Sequence, residues 1–160
     1  MFIIFVMFEF NLYDLENFNI LENLFKLNNY KKNIVVLCVG TLKYFNDSFG
    51  VIFGDLIKEL NIYCYGCKKH EVNGLNYLQV YNFIREKHKS AKIIVIDSVF
   101  VKSDKKPILI YKNSPINVSC LNNNNLIGDE GILFNSFSYS NTKCFNKTLY
   151  LLRKMFEKII

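Results

Sequence analysis

The chain has 160 residues, the length of one domain, and 51% hydrophobic residues with 15 Phe and 10 Tyr, enough to fill a single core, so one globular, soluble domain over 1–160 is expected. The net charge of +6 comes from lysines spread along the chain in short pairs such as Lys31-Lys32, Lys68-Lys69 and Lys105-Lys106. They are not gathered with interleaved aromatics as nucleic-acid binding requires, so no nucleic-acid partner is expected. Five cysteines (Cys38, Cys64, Cys67, Cys120 and Cys144) are an odd number in a chain without a signal, which fits reduced thiols and a cytoplasmic protein.

The opening MFIIFVMFEF is apolar, but it lacks a basic leader and soon meets Glu9. It reads as a buried strand, and no membrane partner is expected. From about 18 to 29, Phe18, Leu21, Leu24, Phe25 and Leu27 recur at spacings of three and four, an amphipathic helix. NIVVLCVG then reads as a fully buried strand. After the loop TLKYFNDSFG, residues Phe49, Ile52, Phe53, Leu56, Ile57 and Leu60 mark one face of a second helix.

The unit repeats: NIYCYG is a short strand, LNYLQVYNFIREKH a helix carrying Leu75, Leu78, Tyr81, Phe83 and Ile84, and KIIVIDSVF a strand ending near Asp97. Farther on, KPILIYK and INVSC read as strands, LNNNNLIGDEG as a long loop and NKTLYLLRKMFEKII as a closing helix. Continuous apolar strands alternating with amphipathic helices predict a three-layer αβα sandwich on a mostly parallel sheet.

In an open parallel sheet, chemistry gathers beyond the carboxyl ends of the strands. Asp47 follows the first strand of the repeated unit and Asp97 ends the third. In a 2-1-3 strand order these two strands are neighbours, and both carboxylates reach one crevice. A close pair of carboxylates shares a proton, which suits it to activating water and protonating a leaving amine, or to holding a metal. Asp129, in IGDEG, is a third candidate. On spacing alone, each has a structural reading: Asp47 as the N-cap of the helix beginning near Ser48, Asp97 as a turn former, Asp129 as a solvated loop acid.

The run VVLCVGTLKYFNDSFGVIFGDLI resembles the start of the spore protease YyaC family, whose pattern is an apolar strand, Gly-Thr-Asp-Arg, and Gly-Asp-Ser-Leu-Gly-Pro opening a helix. Gly40, Thr41, Asp47, Ser48 and Gly50 match it. IYCYG, NGLN, IIVIDSV, IGDEGI and NTKCFN follow in the family's order. The similarity covers roughly residues 20 to 160, most closely at 34 to 60 and 92 to 98. That family is related to the germination protease of spores and to hydrogenase maturation endopeptidases, on a phosphorylase/hydrolase-like α/β fold.

The resemblance implies a cytoplasmic, forespore or spore peptidase acting on a protein or peptide substrate. Asp47 and Asp97 would be its catalytic carboxylates and Asp129 a third, with Gly40, Thr41 and Asn46 lining the substrate site. No cofactor or metal is implied. Leu42 and Lys43 stand where the pattern has Asp-Arg, Asn46 for Gly, Val51 for Pro, Glu71 for Pro and Asn73 for His. These departures keep open a catalytically silent protein that binds a peptide or partner, and a divalent-cation hydrolase using the same three acids. His70 and His88 do not fall where the nickel-reading relatives require a histidine, and both are expected at the surface. Cys64-Tyr-Gly-Cys67 ends a strand instead of opening a helix, so structural thiols are expected there.

Overall fold

Ile34–Cys38 and the apolar stretch of Lys92–Val99 are nearly uninterrupted runs of Ile, Val and Leu, and such runs form strands buried on both faces. The computed structural model describes residues 7–11, 19–24, 33–100, 108–118, 125–136 and 142–160. The strands are β1 (Met7–Asn11), β2 (Ile34–Cys38), β3 (Tyr63–Tyr65), β4 (Lys92–Val99), β5 (Ile108–Lys112), β6 (Ile116–Asn117), β7 (Leu126–Ile127) and β8 (Glu130–Asn135). The helices are α1 (residues 19–24), α2 (Phe49–Ile57), α3 (Tyr77–Lys87) and α4 (Thr142–Ile159).

Six strands form one sheet in the order β1-β5-β8-β4-β2-β3, and β6 and β7 form a separate ribbon. The β3, β2, β4 and β8 strands are parallel, while β5 and β1 extend the sheet antiparallel. The segment β3-β2-β4 is the expected 2-1-3 order. Even-numbered β2 and β4 residues, such as Val36, Cys38, Ile94 and Ile96, face Leu21, α2 and α4. Odd-numbered ones, such as Val35, Leu37, Ile93 and Val95, face α3 and the ribbon residues Ile116 and Ile127. The architecture is thus a three-layer αβα sandwich on a mostly parallel sheet. Among the described residues no helix is long and apolar enough to cross a membrane.

Three readings are corrected. The loop assigned to LNNNNLIGDEG contains β7, and it runs directly into β8, a fully buried strand in the middle of the sheet. The segment GILFN is short and follows an Asn-rich stretch, so its burial depends on β4 and β5 on either side. In α3 the inward stripe is Tyr77, Val80, Tyr81 and Ile84, while Phe83 is 50% exposed and Leu75, 92% exposed, precedes the helix. Too many apolar residues on that helix left its face ambiguous. The closing helix begins at Thr142, earlier than the apolar pattern suggested, because Cys144 and Phe145 are already buried in its first turn. The expected first strand holds for Met7–Asn11, a sheet edge, and its residues 1–6 lie outside the described residues. Phe18, Phe25 and Leu27 of the first helix also lie outside them, as does Cys120.

Candidate active site

At the carboxyl end of β2 the chain leaves the sheet and comes back on itself. Val39 N–H donates to the Ile96 carbonyl at 2.8 Å, Gly40 N–H to the Val72 carbonyl at 2.7 Å, and Thr41 N–H to the Asp47 carbonyl at 2.9 Å. The last bond closes the loop that carries Asp47. Gly40 has φ +148°, and a Cβ there would lie 2.1 Å from the Asp47 carbonyl oxygen, so any side chain forces the loop open. At Gly50, a Cβ would lie 2.1 Å from the Val39 carbonyl oxygen. The first turn of α2 therefore abuts the strand ends directly, which gives both motif glycines a steric reason.

Asp47 ends a 3-10 turn over Phe45–Asp47. It does not cap α2: Ser48 holds the N-cap position, no side chain caps the helix, and the Ser48 hydroxyl donates back to the Phe45 carbonyl at 2.7 Å. The capping reading of Asp47 is therefore corrected.

Asp97 lies near the end of β4, beside the point where β2 ends. By strand alternation it points to the same side as Ile93 and Val95, under the α3 layer. It is 5% exposed, and its Oδ1 accepts the Ser98 N–H at 2.7 Å. Burial pushes its carboxyl well above the usual carboxylate range, the Ser98 hydrogen bond opposes this, and the negative charge of Asp47 adds to it. Half-buried Asp47 is raised as well, by burial first, against the Thr41 N–H, with the charge of Glu71 adding to the rise. The 2-1-3 topology thus brings the two predicted carboxylates into one electrostatic neighbourhood.

A third acid joins them that sequence reasoning noted only as a departure. Glu71, in the loop between β3 and α3, accepts the Thr41 hydroxyl at 2.9 Å on Oε2 and the Leu42 N–H at 3.0 Å on Oε1. Its position after the second strand of a 2-1-3 sheet was the available signal. Among the described residues no Lys, Arg or His forms an ion pair with Asp47, Glu71 or Asp97. The Asn46 Oδ1 and Ser98 Oγ atoms, each on the chain neighbour of an aspartate, are buried without a hydrogen-bond partner. Gly40 and Thr41 hold the loop, and the Thr41 hydroxyl is already engaged by Glu71.

Asp129 is not part of this group. It precedes β8, its Oδ2 accepts the Ile93 N–H at 2.8 Å, and its Oδ1 accepts from Arg85 Nη2 at 2.8 Å. Ile93 lies four residues before Asp97 on β4, about 13 Å along an extended strand. A strand adds its carboxyl end to the crevice, and Asp129 stands at the opposite end of β8, so its placement with Asp47 and Asp97 is corrected.

His70 is exposed, and His88 Nε2 meets the Tyr65 hydroxyl at 2.9 Å at the end of α3. Cys38, Cys64 and Cys67 are free thiols, and Cys38 Sγ and Cys64 Sγ are 4.0 Å apart beneath α2. Among the described residues no three His, Cys, Asp or Glu side chains are arranged to hold a metal ion.

Chemically, the arrangement offers one carboxyl whose burial favours its protonated form and one closer to solvent, a difference of the kind that can divide the roles of an acid and a base. No curated protein matches the chain, and no solved structure does. A family profile described as "Protein of unknown function (DUF1256)" matches residues 9–151. Both aspartates, Glu71 and every strand of the sheet but the first residues of β1 fall inside that match, and the chain belongs to the DUF1256 family.

Proposed function

We propose that the protein is a peptidase of the spore protease YyaC type, hydrolysing a peptide bond in a protein substrate during spore formation or germination. The observation that supports this reading is that Asp97 on β4 and the Asp47 turn after neighbouring β2 lie close enough for the charge of one to act on the other, with no ion-paired cation on either among the described residues, one buried and the other half-buried. Asp97, buried and raised furthest, is assigned the acid, and half-buried Asp47 the base. Asp47 takes a proton from water as the hydroxyl adds to the scissile carbonyl. Asp97 gives its proton to the nitrogen as the C–N bond breaks, and transfer from Asp47 to Asp97 restores the pair. Each proton is thereby accounted for, and the two acids titrate as a unit. Leu42, Tyr44 and Phe45 are 44%, 68% and 51% exposed on the loop that carries Asp47, where they offer an extended peptide apolar contacts.

The test is exposure of a peptide library, made by digesting a total protein extract, to the wild-type protein from acid to neutral pH, with new termini read by mass spectrometry. Wild type is expected to cleave at a restricted set of sequences. Asp47→Asn and Asp97→Asn, folded as judged by melting, are expected to lose about a hundredfold or more. A wild-type protein that creates no new termini, or an Asp97→Asn variant that cleaves as well as wild type, overturns the reading. Retention of library peptides without cleavage is the result that a catalytically silent binding protein would give.

A further inference from the structure

Glu71 stands where the motif pattern has another residue, yet its side chain is the most heavily used in the crevice. One oxygen accepts the Thr41 hydroxyl at 2.9 Å and the other the Leu42 N–H at 3.0 Å. Thr41 in turn donates its N–H to the Asp47 carbonyl at 2.9 Å, so two consecutive bonds join Glu71 to the backbone of Asp47. Glu71 is itself anchored. Asn76 Nδ2 donates to the Glu71 carbonyl at 3.1 Å, Asn76 Oδ1 accepts the Asn73 N–H at 2.8 Å, and the adjacent Val72 carbonyl accepts from Gly40. The loop leading into α3 is therefore tied to the loop leading into α2 by the Glu71 carboxylate and by the Gly40–Val72 backbone bond.

We propose that Glu71 is a positioning residue of this site, gripping the Asp47 loop through Thr41 and Leu42 and so setting where the Asp47 carboxylate stands. The inference rests on the peptidase reading for the importance of Asp47, while the grip itself can be measured without a substrate. An uncharged hydrogen-bonding residue could hold the loop equally well; a carboxylate adds a negative charge that favours the protonated form of Asp47. Among the described residues, charged side chains on the elements around Asp47 include Asp97 on β4, Glu71 itself, Lys43 in the same loop and Lys143 in the first turn of α4. Phe145 of that turn packs on Phe45 with ring centroids 4.9 Å apart. Lys43 and Lys143 are exposed and are left unchanged by the variants below.

The experiment is a carbon-detected carboxyl titration of the full chain by NMR, together with amide exchange at Leu42, for wild type, Glu71→Gln and Glu71→Ala. Glutamine keeps both contacts, since its carbonyl accepts from Leu42 and its amide donates to the Thr41 oxygen. Glu71→Gln is therefore expected to retain Leu42 protection and the melting temperature while the Asp47 midpoint moves to lower pH. Glu71→Ala is expected to lower the midpoint too and to speed Leu42 exchange about tenfold, as loss of a hydrogen bond to a charged group does. An Asp47 midpoint unmoved in Glu71→Gln, or Leu42 exchange unchanged in Glu71→Ala, overturns the proposal. A wild-type protein that cleaves no peptide sinks the peptidase reading alone, because neither readout depends on turnover.

Discussion

The two ends of the central sheet treat their carboxylates in opposite ways. At the amino ends of β4 and β8, Asp129 pairs with Arg85 at 2.8 Å, and fully buried Glu130 pairs with Lys92 while accepting the Tyr111 hydroxyl at 2.9 Å. At the carboxyl ends, Asp47, Glu71 and Asp97 lie near one another, and each of the two aspartates is pushed toward its protonated form. An acid matched to a cation serves the fold, whereas acids grouped with no cation paired to them among the described residues raise the free energy of the folded state and mark a candidate functional site. The difference separates Asp129 from the other candidates more clearly than any motif.

The comparison breaks most visibly at the paired end. Lys92→Met removes the Lys92 cation from buried Glu130 and is expected to cost about 3 kcal/mol in urea unfolding. A loss below about 1 kcal/mol would mean that Glu130 is supported without Lys92, and the contrast between the two ends would fail.

At the other end the same kind of change has the opposite sign. Below the unfolded carboxyl value of about 3.9, folded and unfolded chains both hold the Asp97 proton, and the residue costs nothing. As pH rises past that value the unfolded chain ionises while folded Asp97 does not, so stability falls until pH passes the raised folded value. Asp97→Asn removes this loss. It should melt above wild type at neutral pH, with a gain of about 1.4 kcal/mol for each unit of pKa elevation relieved, and the gain should vanish near pH 4 and below. Melting curves of both proteins from acid to neutral pH check this; a variant less stable than wild type at neutral pH would show that Asp97 holds the fold together.

The smallest effect is expected for Arg85→Ala. Its ion pair with Asp129 is about one-third exposed on both sides, and Asp129 keeps its bond to the Ile93 N–H, so a loss of about 0.5 kcal/mol is expected. A loss several times larger would make that end of the sheet depend on the surface pair and not on Glu130.

Much of this was legible from residue order. The Ile-Val-Leu runs of β2 and β4 allow little but buried parallel strands, because a strand covered on both faces needs apolar residues at every position. Gly40 and Gly50 flank a loop that must turn sharply and let a helix touch strand ends, and their spacing places Asp47 between those two constraints. Asp97 closes an apolar run, which puts it near a strand end, two residues before β4 stops. These are local properties, carried by a few neighbouring side chains and their backbone.

What only the tertiary structure decided is non-local. The central place of β8 depends on β4 and β5 closing around a short apolar segment, and α3 turns Tyr77 and Ile84 inward instead of Phe83 because of the strand surface beneath it. Asp129 went to the far end of the sheet because it precedes its strand, and Glu71 reached Thr41 because β3 lies beside β2. The sequence by itself determined which acids end strands and which glycines let the chain turn; which acids meet, and which find a cation, followed from strand order, because the chain brings together residues whose separation along it carries no such information.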